Sequence, residues 1–314
     1  MSSRFSYGGQ AVIEGVMMRG RNSLAIAVRR PCGDIVVSEN AIGGITRRYP
    51  FLRWPLVRGV VGLVEALVIG MRALSFSASQ FADEGEGEEP LGIKEIILSM
   101  LFAVGLTVVL FVMLPAYLVK LVQMHIVSNL VLNLIEGFVK ISLFLLYVAL
   151  ISFMPDIRRV FEYHGAEHKT INCYEAGMEL TAGNVCNCSR FHPRCGTSFI
   201  VIVMLTGILI FSFFGRPPFV TRVLLHLGLL PVVAGISYEF IRLAGRQQKS
   251  WYVWLLSRPG IWMQFLTTRE PDQQQVEVAI RSLELVLEHD ARTAQEAGRT
   301  VVEMFGSDGR CLRS

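Results

Sequence analysis

Long runs of apolar residues occupy the middle of the chain and predict helices that cross a membrane. Residues 96–119 carry no charge, and a helix of about 20 apolar residues is enough to cross the hydrocarbon layer of a bilayer. A second run covers about 132–154. Two more, at 198–214 and about 220–241, complete four predicted spans arranged as two hairpins.

The segment 55–81 predicts a helix of another kind. Arg58, Glu65 and Arg72 recur at intervals of seven residues and therefore share one helical face, whereas the other faces are apolar. Such a helix either packs on the rest of the protein or lies on the membrane surface, and the recurring charges favour these placements over a span. The acidic, glycine-rich segment 82–95 that follows predicts a linker.

The N-terminal part, 1–54, has the pattern of strands. SLAIAVRR and DIVVSEN are two β-prone runs joined by PCG, which predicts a hairpin. The preceding YGGQAVIEGVMMRG is apolar and contains glycines at 8, 9, 15 and 20. Two interpretations stay open for it: a further strand whose backbone approaches another part of the protein closely, or glycines in ordinary turns.

The C-terminal part, 242–314, combines an interfacial segment with a helix. WYVWLLSRPGIWMQF places aromatic residues in an apolar stretch broken by Pro259, which is typical of a membrane interface. Beyond Pro271 the apolar residues recur at helical spacing and predict a short amphipathic helix that docks on the protein's own cytoplasmic part. These residues are Val276, Ala279, Ile280, Leu283 and Leu287.

Lysines and arginines predict the orientation. They concentrate before the first predicted span, in the loop 155–197 and after the last span, whereas the other two loops hold little more than Lys120 and Arg216. Because such charges stay on the cytoplasmic side, both termini and the 155–197 loop are expected there. The predicted parts, in order, are 1–54, the interfacial or packed helix 55–81, the linker 82–95, a first hairpin 96–154, the loop 155–197, a second hairpin 198–241 and the C-terminal part 242–314.

Composition agrees with a multi-pass membrane protein. Of 314 residues, 52% are hydrophobic and 18% are charged, against about 25% charged in soluble domains. The mean hydropathy is +0.46. The net charge of +4 comes without a basic block, so nucleic acid is not an expected partner. We therefore expect an α-helical integral membrane protein with about four spans, a small strand-rich cytoplasmic N-terminal part and the lipid bilayer as its surroundings.

The candidate chemistry lies in the 155–197 loop, where EYHGAEHKTINCYE contains the pattern H-x-x-E-H. His164 and His168 are four residues apart, so on a helix both imidazoles can reach one ion. In the inverse zincins this pattern supplies two zinc ligands and a general base, here Glu167. A third ligand must come from elsewhere, and His192 and Cys195 in RFHPRC are the nearest candidates. The sequence thus predicts a divalent-metal site, with zinc as the favoured ion.

Three carboxylates are secondary candidates. Glu162 precedes His164 by two residues and faces elsewhere on a helix, unless the helix begins late. Glu239, near the end of the last span, is a candidate ligand or an acceptor that fixes a histidine tautomer. Glu14 either pairs structurally with Arg19 or faces the site.

Other interpretations of the same residues stay open. The histidines can cap or bridge surface helices while the cysteines act as small apolar fillers. A closed, cysteine-rich site would use Cys186, Cys188 and Cys195, although C-x-C spacing is unusual for such sites. His226, inside the last predicted span, is interpreted as a packed residue, with a proton path as the minor alternative.

Four blocks in order resemble the YqhQ-type family of bacterial membrane proteins, a family of unknown function sometimes described as a predicted metal-dependent enzyme. The blocks are GGQAVIEGVMMRG, EYHGAEHKTINCYE, RFHPRCGTSF and ISYEF, and the resemblance runs from about Tyr7 to about Leu287. It implies importance for Glu14, His164, Glu167, His168, Cys173, His192, Cys195 and Glu239. Cys186 and Cys188 are not part of that pattern.

The leading functional hypothesis is a membrane-embedded, metal-dependent hydrolase with a cytoplasm-facing site. A lipid-linked molecule or a membrane-protein segment would be its substrate, an expectation that follows from location only. The alternative is a metal-stabilised scaffold or assembly factor that binds other membrane proteins. A transporter is disfavoured, because the spans contain few charges and no pair of broken helices.

Overall fold

A four-stranded antiparallel sheet forms the N-terminal part of the protein. The computed structural model describes residues 7–42, 49–82, 93–126, 128–215, 217–246 and 251–305. The strands are β1 (Gly8–Val12), β2 (Gly15–Arg19), β3 (Ser23–Arg29) and β4 (Ile35–Ala41), paired in sequence order. The predicted hairpin is β3 and β4. The segment before it forms two strands, because a two-residue turn at Ile13 and Glu14 reverses the chain.

The rest of the described chain is mostly helical. The helices are α1 (Val57–Ala82), α2 (Ile93–Val108), α3 (Leu114–Val122), α4 (Asn129–Ile151), α5 (Pro155–Glu175), α6 (Ala182–Cys186), α7 (Gly196–Ser212), α8 (Phe219–Arg246), α9 (Trp251–Thr267) and α10 (Gln273–Phe305). A π-helical turn, Val109–Met113, joins α2 to α3, and short 3₁₀ turns lie at Pro50–Arg53 and Gln123–His125. Most of the predicted acidic linker lies outside the described residues.

Four helical stretches of the described chain are long and apolar enough to cross a membrane: Val57–Phe81, Leu101–His125, Asn129–Ile151 and Val220–Arg242. Three of them match predicted spans. The helix at the predicted third span, α7, has 17 residues and is shorter than the others. Val57–Phe81 has the mean hydropathy of a span, 1.7, although the sequence pattern favoured an interfacial or packed helix there.

The two faces of the sheet bury different elements, because side chains alternate along each strand. Val16, Met18 and Ala25 point to one face and form a core with α5 and α10. Val12, Met17 and Ile26 point to the other face and pack against the second half of α1. The sheet is therefore the middle layer between α1 and the helix that carries the H-x-x-E-H pattern.

The C-terminal helix completes this core. Its predicted apolar stripe is confirmed, since Val276, Ala279 and Leu283 are fully buried against the sheet and α5. Ser282 donates a hydrogen bond to the carbonyl of Ala25 (2.9 Å), and Gln275 donates one to Glu162 (3.0 Å). The amphipathic helix thus docks on the protein's own sheet and on α5.

Candidate metal centre

Helix α5 places the two histidines of the pattern on one face. It begins at Pro155, which suits the first turn because proline lacks the N–H that would go unused there. Nine residues of helix therefore precede His164, and His168 follows one turn later. The centroids of the two imidazole rings are 4.4 Å apart. The expected pairing of the histidines is present in the structure.

Cys195 supplies the third atom of the cluster. It is the N-cap residue of α7, and its sulfur accepts a hydrogen bond from the backbone N–H of Thr197 (3.4 Å). Sγ lies 3.1 Å from His164 Nε2. One nitrogen from each histidine and this sulfur all lie within 4.8 Å of one another. The backbone N–H groups at the helix N-terminus thus help to hold the sulfur in place, and cysteine sulfur is a common ligand of zinc.

Hydrogen bonds to backbone carbonyls fix the orientation of both rings. His164 Nδ1 lies 2.8 Å from the carbonyl oxygen of Thr267, and His168 Nδ1 lies 2.7 Å from that of Arg190. A carbonyl only accepts, so Nδ1 is the donor in both rings, and in the neutral imidazole Nε2 then keeps its lone pair. An N–H donated to a carbonyl behind the ring is the usual arrangement of a metal-binding histidine.

Burial favours the neutral form of His168. This residue is 1% exposed, and burial lowers the pKa of its imidazole, although the hydrogen bond with Cys195 acts in the opposite direction. A metal binds the neutral imidazole, so the protonation state that burial imposes is the one that binding needs. Two nitrogens and one sulfur form a donor set suited to zinc, with one position left for a fourth ligand.

Glu167 lies beneath the N-terminal sheet. It is 5% exposed, and burial raises the pKa of its carboxyl group, while His164, His192 and the backbone N–H of Gly9 lower it. A Cβ atom on Gly9 would stand 3.1 Å from Glu167 Cγ and would overlap the carbonyl oxygen of Met17. The close backbone approach that the glycines suggested is therefore found at Gly9, and strand β1 covers this side of the site.

His192 stands beside the cluster of three. It is 4% exposed, and its ring centroid is 5.7 Å from that of His168. Its Nε2 is 3.5 Å from a carboxylate oxygen of Glu175, without the geometry of a hydrogen bond. The fully buried Gln264 accepts from its backbone N–H and donates to its carbonyl, both at 2.8 Å. Of the two candidates for a third ligand, Cys195 is the one brought to the histidine pair.

The three secondary carboxylates and Cys173, a possible supporting residue, have other partners, and none of the four belongs to the cluster of ligand atoms found among the described residues. Glu14 pairs with Arg159 and accepts a hydrogen bond from Tyr163 (3.2 Å). Glu162 pairs with Arg158 (3.3 Å) and faces α10. Cys173 is buried against Cys188, and burial raises the pKa of its thiol to about 11. Glu239 pairs with Arg58.

Three groups at the site escaped the sequence analysis. The carbonyls of Arg190 and Thr267 hold the histidines. Every residue has a backbone carbonyl, so the sequence cannot show which of them act as acceptors. Gln264, in contrast, could have been noticed, because it is a polar residue inside the apolar run IWMQFL. A buried amide needs partners, so such a residue signals a structural or functional contact.

Comparison with known proteins places these residues in a family. A family model described as "Protein of unknown function (DUF1385)" matches residues 54–289. The "Uncharacterized protein YqhQ" of Bacillus subtilis (strain 168) is 37% identical over 306 residues, which cover 92% of this chain and 95% of that protein. No solved structure matches significantly. By both comparisons the chain belongs to the YqhQ-type family of proteins of unknown function.

Proposed function

We propose that this protein is a membrane-embedded, metal-dependent hydrolase whose site is built on His164, His168 and Cys195. The proposal rests on the orientation of the two imidazole rings, each of which turns Nδ1 toward a backbone carbonyl and Nε2 toward the cluster. Both Nδ1 atoms donate to carbonyls, so both Nε2 atoms face the cysteine sulfur, where a metal ion would take the place of their contacts with it. A packing role for these histidines would not require this common tautomer.

Zinc is the ion that the donor set favours, since imidazole and thiolate together suit it better than Mg²⁺ or Ca²⁺. When bound, zinc would supply Lewis-acid activation of water or polarisation of a substrate oxygen. Glu167 is the proton carrier in this proposal. Burial raises the pKa of its carboxyl group, which brings that group closer to the range in which it can both accept and release a proton.

The surroundings of the site support a substrate at the membrane. Phe191, next to His192, packs its ring 4.6 Å from that of Phe265 on α9. Phe265 and Trp262 are more than half exposed. Exposed aromatic side chains of this kind are typical of the boundary between lipid and water. A lipid-linked molecule or a membrane-protein segment would reach the site along this surface, and we place both termini and the site on the cytoplasmic side of the bacterial plasma membrane.

A second function has its own support. Glu167, His168 and Cys195 are each less than 10% exposed, and β1 lies over Glu167. A metal ion buried in this way would also suit a structural role, provided that a protein group fills the fourth position. In this alternative the metal fixes the 155–197 loop to α7 and α9, and the protein serves as a scaffold or assembly factor for other membrane proteins.

Elemental analysis of the purified protein tests the metal. We expect about one zinc per chain in the wild type, with loss in His164→Ala, His168→Ala and Cys195→Ser. His192→Ala is the matched control, because His192 lies outside the cluster and should leave the zinc in place. A folded wild type purified without chelators that holds no transition metal would overturn both functions.

Glu167→Gln then separates the two functions. The substitution keeps the size of the side chain and removes its ability to take a proton. In the hydrolase, zinc stays bound and complementation of a deletion strain is lost. In the scaffold, Glu167→Gln complements like the wild type, and a partner protein copurifies in stoichiometric amount.

A further inference from the structure

Helix α1 has the length and hydropathy of a span, but most of it, from Glu65 to Gln80, is fastened to the sheet. Arg19 pairs with Glu65 (2.9 Å), Arg30 donates to Gln80 (2.7 Å), and Ser77 donates to the carbonyl of Ile13. Gly70 lies directly against the side chain of Gln10, and Ala73 and Ser77 are fully buried. These contacts run over four turns of the helix. The helix and the sheet therefore occupy one environment.

That environment cannot be the hydrocarbon of a bilayer. The sheet carries charged groups on its other side, where Arg29 pairs with Glu277 (3.1 Å) and Arg292 with Glu39 (3.4 Å). Each such charge at the bilayer centre costs several kcal/mol, and open sheet edges do not occur in lipid. If α1 crossed the bilayer, it would have to lose its contacts with the sheet or place the charged sheet inside the membrane.

The side of α1 that points away from the sheet carries an apolar stripe, next to the exposed Arg72 and Ser75. Val64, Leu67, Val68 and Met71 follow one another at helical spacing and are between 46% and 60% exposed. Trp54, just before the helix, is 66% exposed. An apolar stripe on one side and polar contacts on the other are typical of a helix that lies in a membrane interface.

The beginning of α1, just before its apolar stripe, contacts the apolar helix α8. Gly59 of α1 packs against Tyr238 and Gly235 of α8, and Arg58 pairs with Glu239. On α8, Val232 and Ile236 are exposed apolar residues within two turns of this contact. Because α8 is long enough to cross a bilayer, lipid that surrounds it also reaches the beginning of α1. Lipid is therefore a better occupant of the stripe than a soluble partner.

We infer that α1 lies along the membrane surface, with Val64, Leu67, Val68 and Met71 in lipid, and that it does not cross the bilayer. It holds the sheet, and with it the candidate metal centre, against the membrane. The inference rests on the membrane location of the other apolar helices and not on metal binding or hydrolysis. Its failure and that of the hydrolase are thus separable, because zinc content is measured independently.

Depth-dependent fluorescence quenching tests this placement. An environment-sensitive fluorescent amino acid replaces Leu67, and the full-length protein is reconstituted in vesicles of phosphatidylethanolamine and phosphatidylglycerol. Nitroxide-labelled lipids carry the quencher either near the headgroup or near the end of the acyl chain. Arg281, an exposed residue of α10, is the control position. We expect strong quenching at Leu67 by the shallow label, several-fold weaker quenching by the deep label, and none at the control.

Two results would overturn the inference. Stronger quenching by the deep label would make α1 a span, because Leu67 lies near the middle of Val57–Phe81. Absence of quenching by either label would mean that water or a protein covers the stripe. A second probe at Val68 checks that the result does not depend on one substitution, and unchanged thermal stability shows that the labelled proteins are folded.

Discussion

Gly165 lies in α5 next to His164, and the backbone of Arg269 passes directly against it. A Cβ atom at this position would overlap the carbonyl oxygen of Arg269 and would lie 3.4 Å from Pro271 Cδ. The carbonyl cannot move aside alone, since the N–H of Arg269 donates to Phe161 (2.8 Å) and Thr267 accepts from His164 (2.8 Å). Gly165→Ala should therefore push the chain after α9 away from α5.

Two opposing terms set the size of the effect. Alanine is favoured over glycine in a helix interior by about 1 kcal/mol. An overpacked contact costs about 1–3 kcal/mol, and a backbone partner puts this one near the upper end. The net loss is then about 1–2 kcal/mol, which lowers the midpoint of thermal unfolding by roughly 1.5–3 °C for a protein of this size. Zinc content should fall as well, because Thr267 holds the imidazole of His164.

Thermal unfolding in detergent and zinc analysis measure both effects. Gly183→Ala is the matched control, because a Cβ atom on this helical glycine of α6 would meet nothing within 4 Å, and the variant should lose no stability. If Gly165→Ala kept the midpoint and the zinc content of the wild type, the proposed coupling between the α9 end and the histidine pair would be refuted.

Three further predictions concern the same part of the protein. Burial lowers the pKa of His168, so folding favours the neutral imidazole ring. The resulting contribution to stability is fully present above the unfolded pKa of about 6.5 and is lost as the pH falls from there through the lower folded pKa. Because the folded pKa lies below about 6.5, zinc should be retained at about pH 7.5 and still at about pH 6.5 and be released only on stronger acidification, and release already at about pH 7 would contradict this. Gln264→Leu leaves the backbone N–H and carbonyl of His192 unpaired and should cost about 2–4 kcal/mol in unfolding experiments, whereas the exposed Gln273→Leu should cost less than about 0.5 kcal/mol. Glu239→Gln should weaken the contact with Arg58 and lower thermal stability while the zinc content stays unchanged; loss of zinc would restore Glu239 as a site residue.

The features that the sequence predicted are the local ones. Apolar runs and helical spacing depend on neighbouring residues, so the long apolar helices, the buried stripe of α10 and the pairing of His164 with His168 could be predicted. The turn at Glu14 could not, because its φ of 49° is a left-handed conformation that glycine or asparagine usually adopts. The contacts with Arg159 and Tyr163 hold that turn, and both partners are far away in the chain.

The remaining features depend on residues that meet only in three dimensions. Cys195 and His192 are equally close to α5 in sequence, and only the start of α7 decides which of them faces the histidines. Arg58 and Glu239 are 181 residues apart, so no spacing rule could pair them. The packing of α1 on the sheet has the same origin, since its partners Arg19 and Arg30 are far away in the chain.

The contact between the sheet and the C-terminal helix also affects how the protein is made. Ala25 of β3 and Ser282 of α10 are 257 residues apart in the chain. A ribosome adds about 5–20 residues per second, so the N-terminal strands wait roughly 13–50 s for the helix that covers one of their faces. During that time the apolar helices are already emerging, and the open face of the sheet exposes Val16, Met18 and Ala25. The order of synthesis therefore leaves one apolar face of the sheet uncovered until the last helix of the described chain has been made.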